Sequence, residues 1–265
     1  DNDDASFICD LRDLEHKMKL WRREMPRVTP FFAVKSCMDP VVLHAMNFMG
    51  ASFDCSNKTE LKTVLDMGVT PDRIVYANTI KSTSHLKYAS VHGITLMTFD
   101  SAEELVKMND ENARLLLRVT ASEFGTRHTM NEKFGVPSHE VEGLLKVDVQ
   151  LRRNVVGVAF HVVCAYHYPD IFVKTIDHAK QVFDMGTQMG FQMNVLDIGG
   201  GFPGGIRKQD TFAKATIRFT IDAYFPPSSG VNIIAEPGQF FVTSAYNLVV
   251  RVVGKRKRDI NIDGQ

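Results

Sequence analysis

The 265-residue sequence predicts an α/β fold, a (β/α)8 TIM barrel running into the start of a β domain. Three observations carry that prediction. The length lies within the range of one such barrel. Eight short apolar, β-branched runs alternate with longer amphipathic stretches, the pattern of parallel strands joined by helices. Each run is closed by a polar or charged residue, at the edge where a barrel carries its functional face. Periodicity alone also admits an open doubly wound sheet.

In order, the strand candidates are PFFAVK (30–35), ASFDC (51–55), RIVYAN (73–78), ITLMTF (94–99), RLLLRV (114–119), VVGVAFHV (155–162), NVLDIGG (194–200) and VNIIAEPG (231–238). Between the second and third runs, Thr59 to Leu65 has helical periodicity, with Ser56 or Asn57 placed to cap it. Asp170 to Met189 repeats apolar Phe172, Ile176, Ala179, Val182 and Phe183 at three-to-four spacing and predicts a long helix. After the eighth run, TSAYNLVVRVVGKRKRDI has no helix punctuation and reads as β structure.

Lys+Arg and Asp+Glu both number 31, and the pI is near 7.3. That balance argues against a nucleic-acid or membrane-surface partner. The basic run from Lys255 to Arg258 reads as a solvated strand end. Four cysteines, Cys9, Cys37, Cys55 and Cys164, lie far apart without paired spacing. They suit a reducing, cytoplasmic setting better than a disulfide framework. No apolar run is long enough to span a bilayer, and the acidic DNDDASF start does not read as a leader.

The residues closing the runs are Lys35, Asp54, Asn78, Asp100, Arg118, His161, Asp197 and Glu236. Any one alone is an ordinary loop residue. Eight together describe a mouth in which a lysine, an arginine, a histidine and several acids can shift one another's pKa. Gly199, Gly200 and Gly201 after the seventh run can let backbone N–H groups approach an anion, although a tight turn explains them equally well. Lysine, anion cradle, histidine and acid together suggest pyridoxal phosphate. The lysine would hold it covalently, and the acid would keep its pyridine nitrogen protonated.

The segments PFFAVKS, FDCSNKTEL, YANTIKSTSHLKYA, MTFDSAEEL, EKFG, VVGVAFHV, LDIGGGFPG and AEPG resemble, in order, those of eukaryotic ornithine decarboxylases and of their non-catalytic relatives, the antizyme inhibitors. The likeness runs from about Ser6 to Lys255. It implies an alanine-racemase-type barrel over 12–241, with 1–11 supplying a strand to a β domain that begins at 242–265 and is incomplete in this chain. It also implies a homodimer in putrescine and polyamine synthesis. By motif position, Lys35 resembles the cofactor lysine, His161 the histidine stacked on the ring, and Glu236 the acid at the pyridine nitrogen. Asp54 and Arg118 resemble the charged residues supporting these, and Gly199 to Gly201 the phosphate loop. Lys133 in EKFG matches a family lysine read as structural.

Two departures bear on the cofactor. The chain reads His161-Val162-Val163-Cys164-Ala165 where the family has His-Val-Gly-Ser-Gly, and Glu236-Pro237-Gly238-Gln239 where it has Glu-Pro-Gly-Arg. Cys164 and Gln239 therefore stand where a serine and an arginine are expected at the phosphate. A charge-assisted hydrogen bond contributes about 1.5–3 kcal/mol against about 1 for a neutral one. Loss of both partners implies cofactor binding weaker by roughly one to three powers of ten. Two readings follow: a pyridoxal-phosphate decarboxylase of ornithine or a related amino acid, or a scaffold that binds the regulator antizyme. The stretch Lys81 to Leu105 resembles the family's antizyme-binding region, although its lysines also read as a solvated helix face.

Overall fold

In the computed structural model, which describes residues 4–121, 133–162, 169–204 and 208–257, the eight apolar runs form a closed parallel barrel. Its strands are β2 (Val28–Ala33), β3 (Ser52–Cys55), β4 (Ile74–Tyr76), β5 (Leu96–Phe99), β6 (Arg114–Arg118), β7 (Val155–Ala159), β8 (Val195–Asp197) and β9 (Asn232–Ala235). They pair in chain order, and β2 closes the ring against β9 with Val28 opposite Ile233. The barrel reading holds over the open sheet because the first and last strands find each other.

Alternation along the strands builds two cores. Phe31, Val75, Leu96, Leu116, Val156, Val195 and Ile234 belong to one apolar cluster, the barrel interior. Neighbours one residue away, such as Phe32, Tyr76, Met97 and Leu117, belong to the larger cluster shared with the helices. Those helices are α1 (Leu11–Glu24), α2 (Pro40–Phe48), α3 (Lys58–Asp66), α4 (Thr83–Val91), α5 (Ala102–Lys107), α6 (Ser138–Leu151), α7 (Pro169–Gln188) and α8 (Lys208–Tyr224). On α1, Leu14, Met18 and Trp21 recur at helical spacing and are buried. The Trp21 indole N–H donates to Val28 O at 2.8 Å, and its ring meets Phe202 and Phe240 edge-on. Among the described residues no helix is long and apolar enough to cross a membrane.

The chain departs from expectation after β9. Pro237-Gly238 leads into a helical turn, α9 (Gln239–Val242). Phe240 and Phe241 are adjacent yet both wholly buried, Phe240 against Trp21 and Phe241 against Phe32, and a turn of helix presents them to those rings where a strand would separate them. The β-like tail yields one short strand, β10 (Tyr246–Val249). It pairs antiparallel with β1 (Ser6–Cys9), Cys9 facing Tyr246 and Ser6 facing Val249. Residues 250–257, including Lys255, Arg256 and Lys257, are exposed and outside regular structure, and Arg258 lies outside the described residues.

Candidate active site

Five of the eight run-closing residues line one cavity of about 610 Å³ at the carboxyl ends of the strands: Lys35, Asn78, Arg118, His161 and Glu236. That size suits a small-molecule site. Lys35 stands in the 3-10 turn Val34–Ser36 that follows β2, and its Nζ lies 2.7 Å from Asp54 Oδ2 in β3. Asp54 is fully buried, and its second oxygen has no hydrogen-bond partner among the described residues. Asp197 ends β8 behind Glu236 and is also fully buried. Asp100 differs from the rest: it accepts the Gly135 N–H at 2.9 Å and borders a separate hollow beside α6. The mouth is therefore smaller than eight converging side chains.

The acids do not share one state. Burial works against the charge on Glu236, yet His161, Lys35 and Arg118 together hold its pKa down at about 2. Burial first, then the Glu236 charge, push Asp197 well above the usual carboxylate range. Like charges packed together cannot all ionise, so Glu236 carries the charge and Asp197 the proton. Asp197 Oδ1 accepts the Gly199 N–H at 2.9 Å. Burial and Glu236 also raise Asp54, to about 7, against the pull of Lys35. For Lys35 itself, burial is outweighed by Asp54 and Glu236, and its pKa stands above the ordinary lysine value.

His161, just after β7, receives the Gly200 N–H on Nδ1 at 3.2 Å, while Glu236 Oε2 approaches the same nitrogen at 3.4 Å. One nitrogen cannot accept and donate at once. The Gly200 N–H and the Glu236 carboxylate therefore ask opposite roles of Nδ1, and which of the two is the hydrogen bond follows the ring's tautomer. The Lys35 and Arg118 charges still favour the ionised Glu236. A side chain at Gly199, whose φ is +64°, would run into Phe160 O, and one at Gly200 would come within 2.9 Å of His161 Cε1. Both glycines thus keep backbone close to the histidine, and the amides of Gly199 and Gly200 are engaged by Asp197 and His161. Gly201 has a φ of +87°.

Several lining residues escaped the strand-end reading. Ser56, Asn57, Ala77 and Ile80 line the same cavity, as do Lys133 and Phe134. Lys133, read from sequence as structural, and Arg118 each lie 4.8 Å from the Phe134 ring centre. Glu60 gathers the rim beneath them: it accepts the Ser56 N–H at 2.7 Å and the Asn57 side-chain amide at 2.6 Å. Its own N–H donates to Asn57 Oδ1, a reciprocal cap that opens α3. The spacing Asn57-x-x-Glu60 announces that cap in the sequence.

These groups fit the ring end of pyridoxal phosphate. An amine sits beside a buried base, an ionised carboxylate faces the same space, and an imidazole stands next to it, with the missing side chain of Gly200 leaving room. The phosphate end is less well furnished. Gln239 is exposed and neutral at the start of α9, and Cys164, with Val163 and Ala165, lies outside the described residues.

A profile of the family described as "Pyridoxal-dependent decarboxylase, pyridoxal binding domain" matches residues 11–243. The ornithine decarboxylase of Schizosaccharomyces pombe is 44% identical over 97% of this chain, which spans 59% of that relative's length. Antizyme inhibitor 2 of Xenopus laevis is 40% identical over 96% of the chain and is spanned to 57%. The crystal structure of the Paramecium bursaria Chlorella virus arginine decarboxylase bound to agmatine superposes with a TM-score of 0.92 at 33% identity, covering 96% of this chain and 69% of that one. Across a match that takes in every barrel strand, the chain belongs to the pyridoxal-dependent decarboxylase family, of which it carries the pyridoxal-binding domain.

Proposed function

We propose that the chain is the barrel of a decarboxylase acting on ornithine or a related basic amino acid, with putrescine the product from ornithine. The observation that carries this reading is the pairing, in one cavity, of the Lys35–Asp54 couple with an ionised Glu236. Lys35, Asp54, Arg118, His161, Glu236 and the Gly199–Gly201 loop would hold the cofactor, with Gln239 and Cys164 at its phosphate. When bound, pyridoxal phosphate takes up the electron pair left behind as carbon dioxide departs. Lys35 Nζ would be the nucleophile toward a carbonyl of the cofactor, and Asp54 Oδ2, which accepts its N–H at 2.7 Å, would orient it. Glu236, ionised near neutral pH, would hold a proton on the cofactor's ring nitrogen. His161 offers a flat face beside that acid, and Arg118 keeps the acid charged.

The neutral Gln239 favours a second reading, a scaffold that binds antizyme through the Lys81 to Leu105 stretch. The homodimer, the cytoplasmic setting and the assignment of the β1–β10 sheet with residues 1–11 and 242–265 to a further domain belong to the proposal. Titration with pyridoxal phosphate separates the two readings. The decarboxylase reading expects binding that disappears in Lys35→Ala and carbon dioxide release from ornithine. It also expects Gln239→Arg with Cys164→Ser to tighten the cofactor by roughly ten- to a thousandfold. Absence of binding at millimolar cofactor sinks it, and unchanged affinity in the double variant shows the phosphate lies elsewhere.

A further inference from the structure

The cysteine spacing suggests no pair, yet the fold brings two of them to one tyrosine. Cys9 ends β1 directly opposite Tyr246 in β10. Cys37 follows the turn that carries Lys35, and its N–H closes that turn onto Val34 O at 3.1 Å. Cys37 Sγ lies 3.4 Å from the Tyr246 hydroxyl, and Cys9, the cross-strand partner of Tyr246, interacts electrostatically with Cys37. Both cysteines are half-buried and reduced, whereas Cys55 is buried inside the barrel wall. Neither thiol belongs to the cavity described above. Nothing in the lysine's chemistry calls for them.

We propose that Cys9 and Cys37 are a reversible redox pair which, on oxidation by a peroxide, forms a disulfide joining the β1–β10 sheet to the turn that carries Lys35. The thiolate of one cysteine attacks a peroxide oxygen, breaking the O–O bond and leaving a sulfenic acid and one water. The second thiol then displaces the sulfenic oxygen as another water, forming the S–S bond. Two thiols thus give up two protons and two electrons, and one hydrogen peroxide becomes two waters. The Tyr246 hydroxyl contacts Cys37 Sγ, and that contact must be given up for the bond to form. Burial, partly offset by Tyr246, raises the Cys9 pKa, and less thiolate makes the step slow at neutral pH. The bond would fasten the base of the Lys35 turn to β1, far earlier in the chain.

The test is to treat the folded chain with hydrogen peroxide, alkylate the remaining thiols, and map the peptides without reduction. The expected result is a peptide linking Cys9 to Cys37, lighter than its separate parts by two hydrogens and released by dithiothreitol. The link should persist in Cys55→Ser with Cys164→Ser and vanish in Cys9→Ser. Recovery of Cys9 and Cys37 as separately alkylated peptides from oxidised protein would overturn the proposal. So would a link from either cysteine to Cys55 or Cys164, or loss of the Cys9–Cys37 link in the Cys55→Ser, Cys164→Ser protein.

Discussion

Single side chains in this protein take opposite charge states according to what surrounds them. Glu236 and Asp197 neighbour each other in the barrel, and cations on one side and burial on the other separate them into an ion and an acid. Asp148 shows burial acting almost alone. It sits in α6, fully buried, with neither side-chain oxygen hydrogen-bonded among the described residues. Burial pushes its pKa up to about 8, against a weaker pull from Arg153. The folded state therefore keeps a proton that the unfolded chain loses near pH 4. Stability contributed by the neutral form is full below that pH and drains away as pH rises toward 8, by at most about 1.4 kcal/mol per unit. Urea unfolding at pH 5 and pH 8 should show a smaller pH dependence in Asp148→Asn than in the parent; equal slopes would mean that Asp148 titrates normally.

At the scale of elements, the barrel strands were readable because β-branched runs bounded by polar residues have few other uses in a chain of this length. The turn at Gln239–Val242 was not readable. Pro-Gly looks like a loop, and only the burial of Phe240 and Phe241 against α1 and β2 explains the helical conformation. The site divided in the same way. Lys35, Arg118, His161 and Glu236 stood out as strand-end charges, and they do line one cavity. Asp100 looked identical in sequence but caps a backbone N–H, a difference that depends on a loop 35 residues away. Phe134 and Ser56 carry no strand-end signal. The cap of α3 was legible as a spacing, but its position at the cavity rim was not. Asn57 accepts the Glu60 N–H at 3.0 Å while Glu60 reaches back to Ser56. Asn57→Ala should therefore lower stability by about 1 kcal/mol and loosen the rim, seen as a lower denaturation midpoint with faster amide exchange at Ser56. A midpoint unchanged within error would show that the cap is dispensable.

At the scale of the chain, a closed barrel is joined to a small antiparallel sheet of β1 and β10. Because β1 and β10 meet beside the turn after Lys35, whatever constrains that sheet bears on the cavity lysine through Cys37, Tyr246 and Asp39, whose carboxylate accepts the Tyr246 hydroxyl at 3.3 Å. The proposed function requires this cavity to place a single reactive lysine for pyridoxal phosphate. The most direct measurement is to mix the chain with pyridoxal phosphate, reduce with borohydride, and locate the phosphopyridoxyl group by peptide mass spectrometry. Stable label is expected on Lys35, with none on the fully buried Lys81 and none anywhere in the Lys35→Ala variant. Label scattered over surface lysines, or concentrated on Lys133 with Lys35 unmodified, would contradict it.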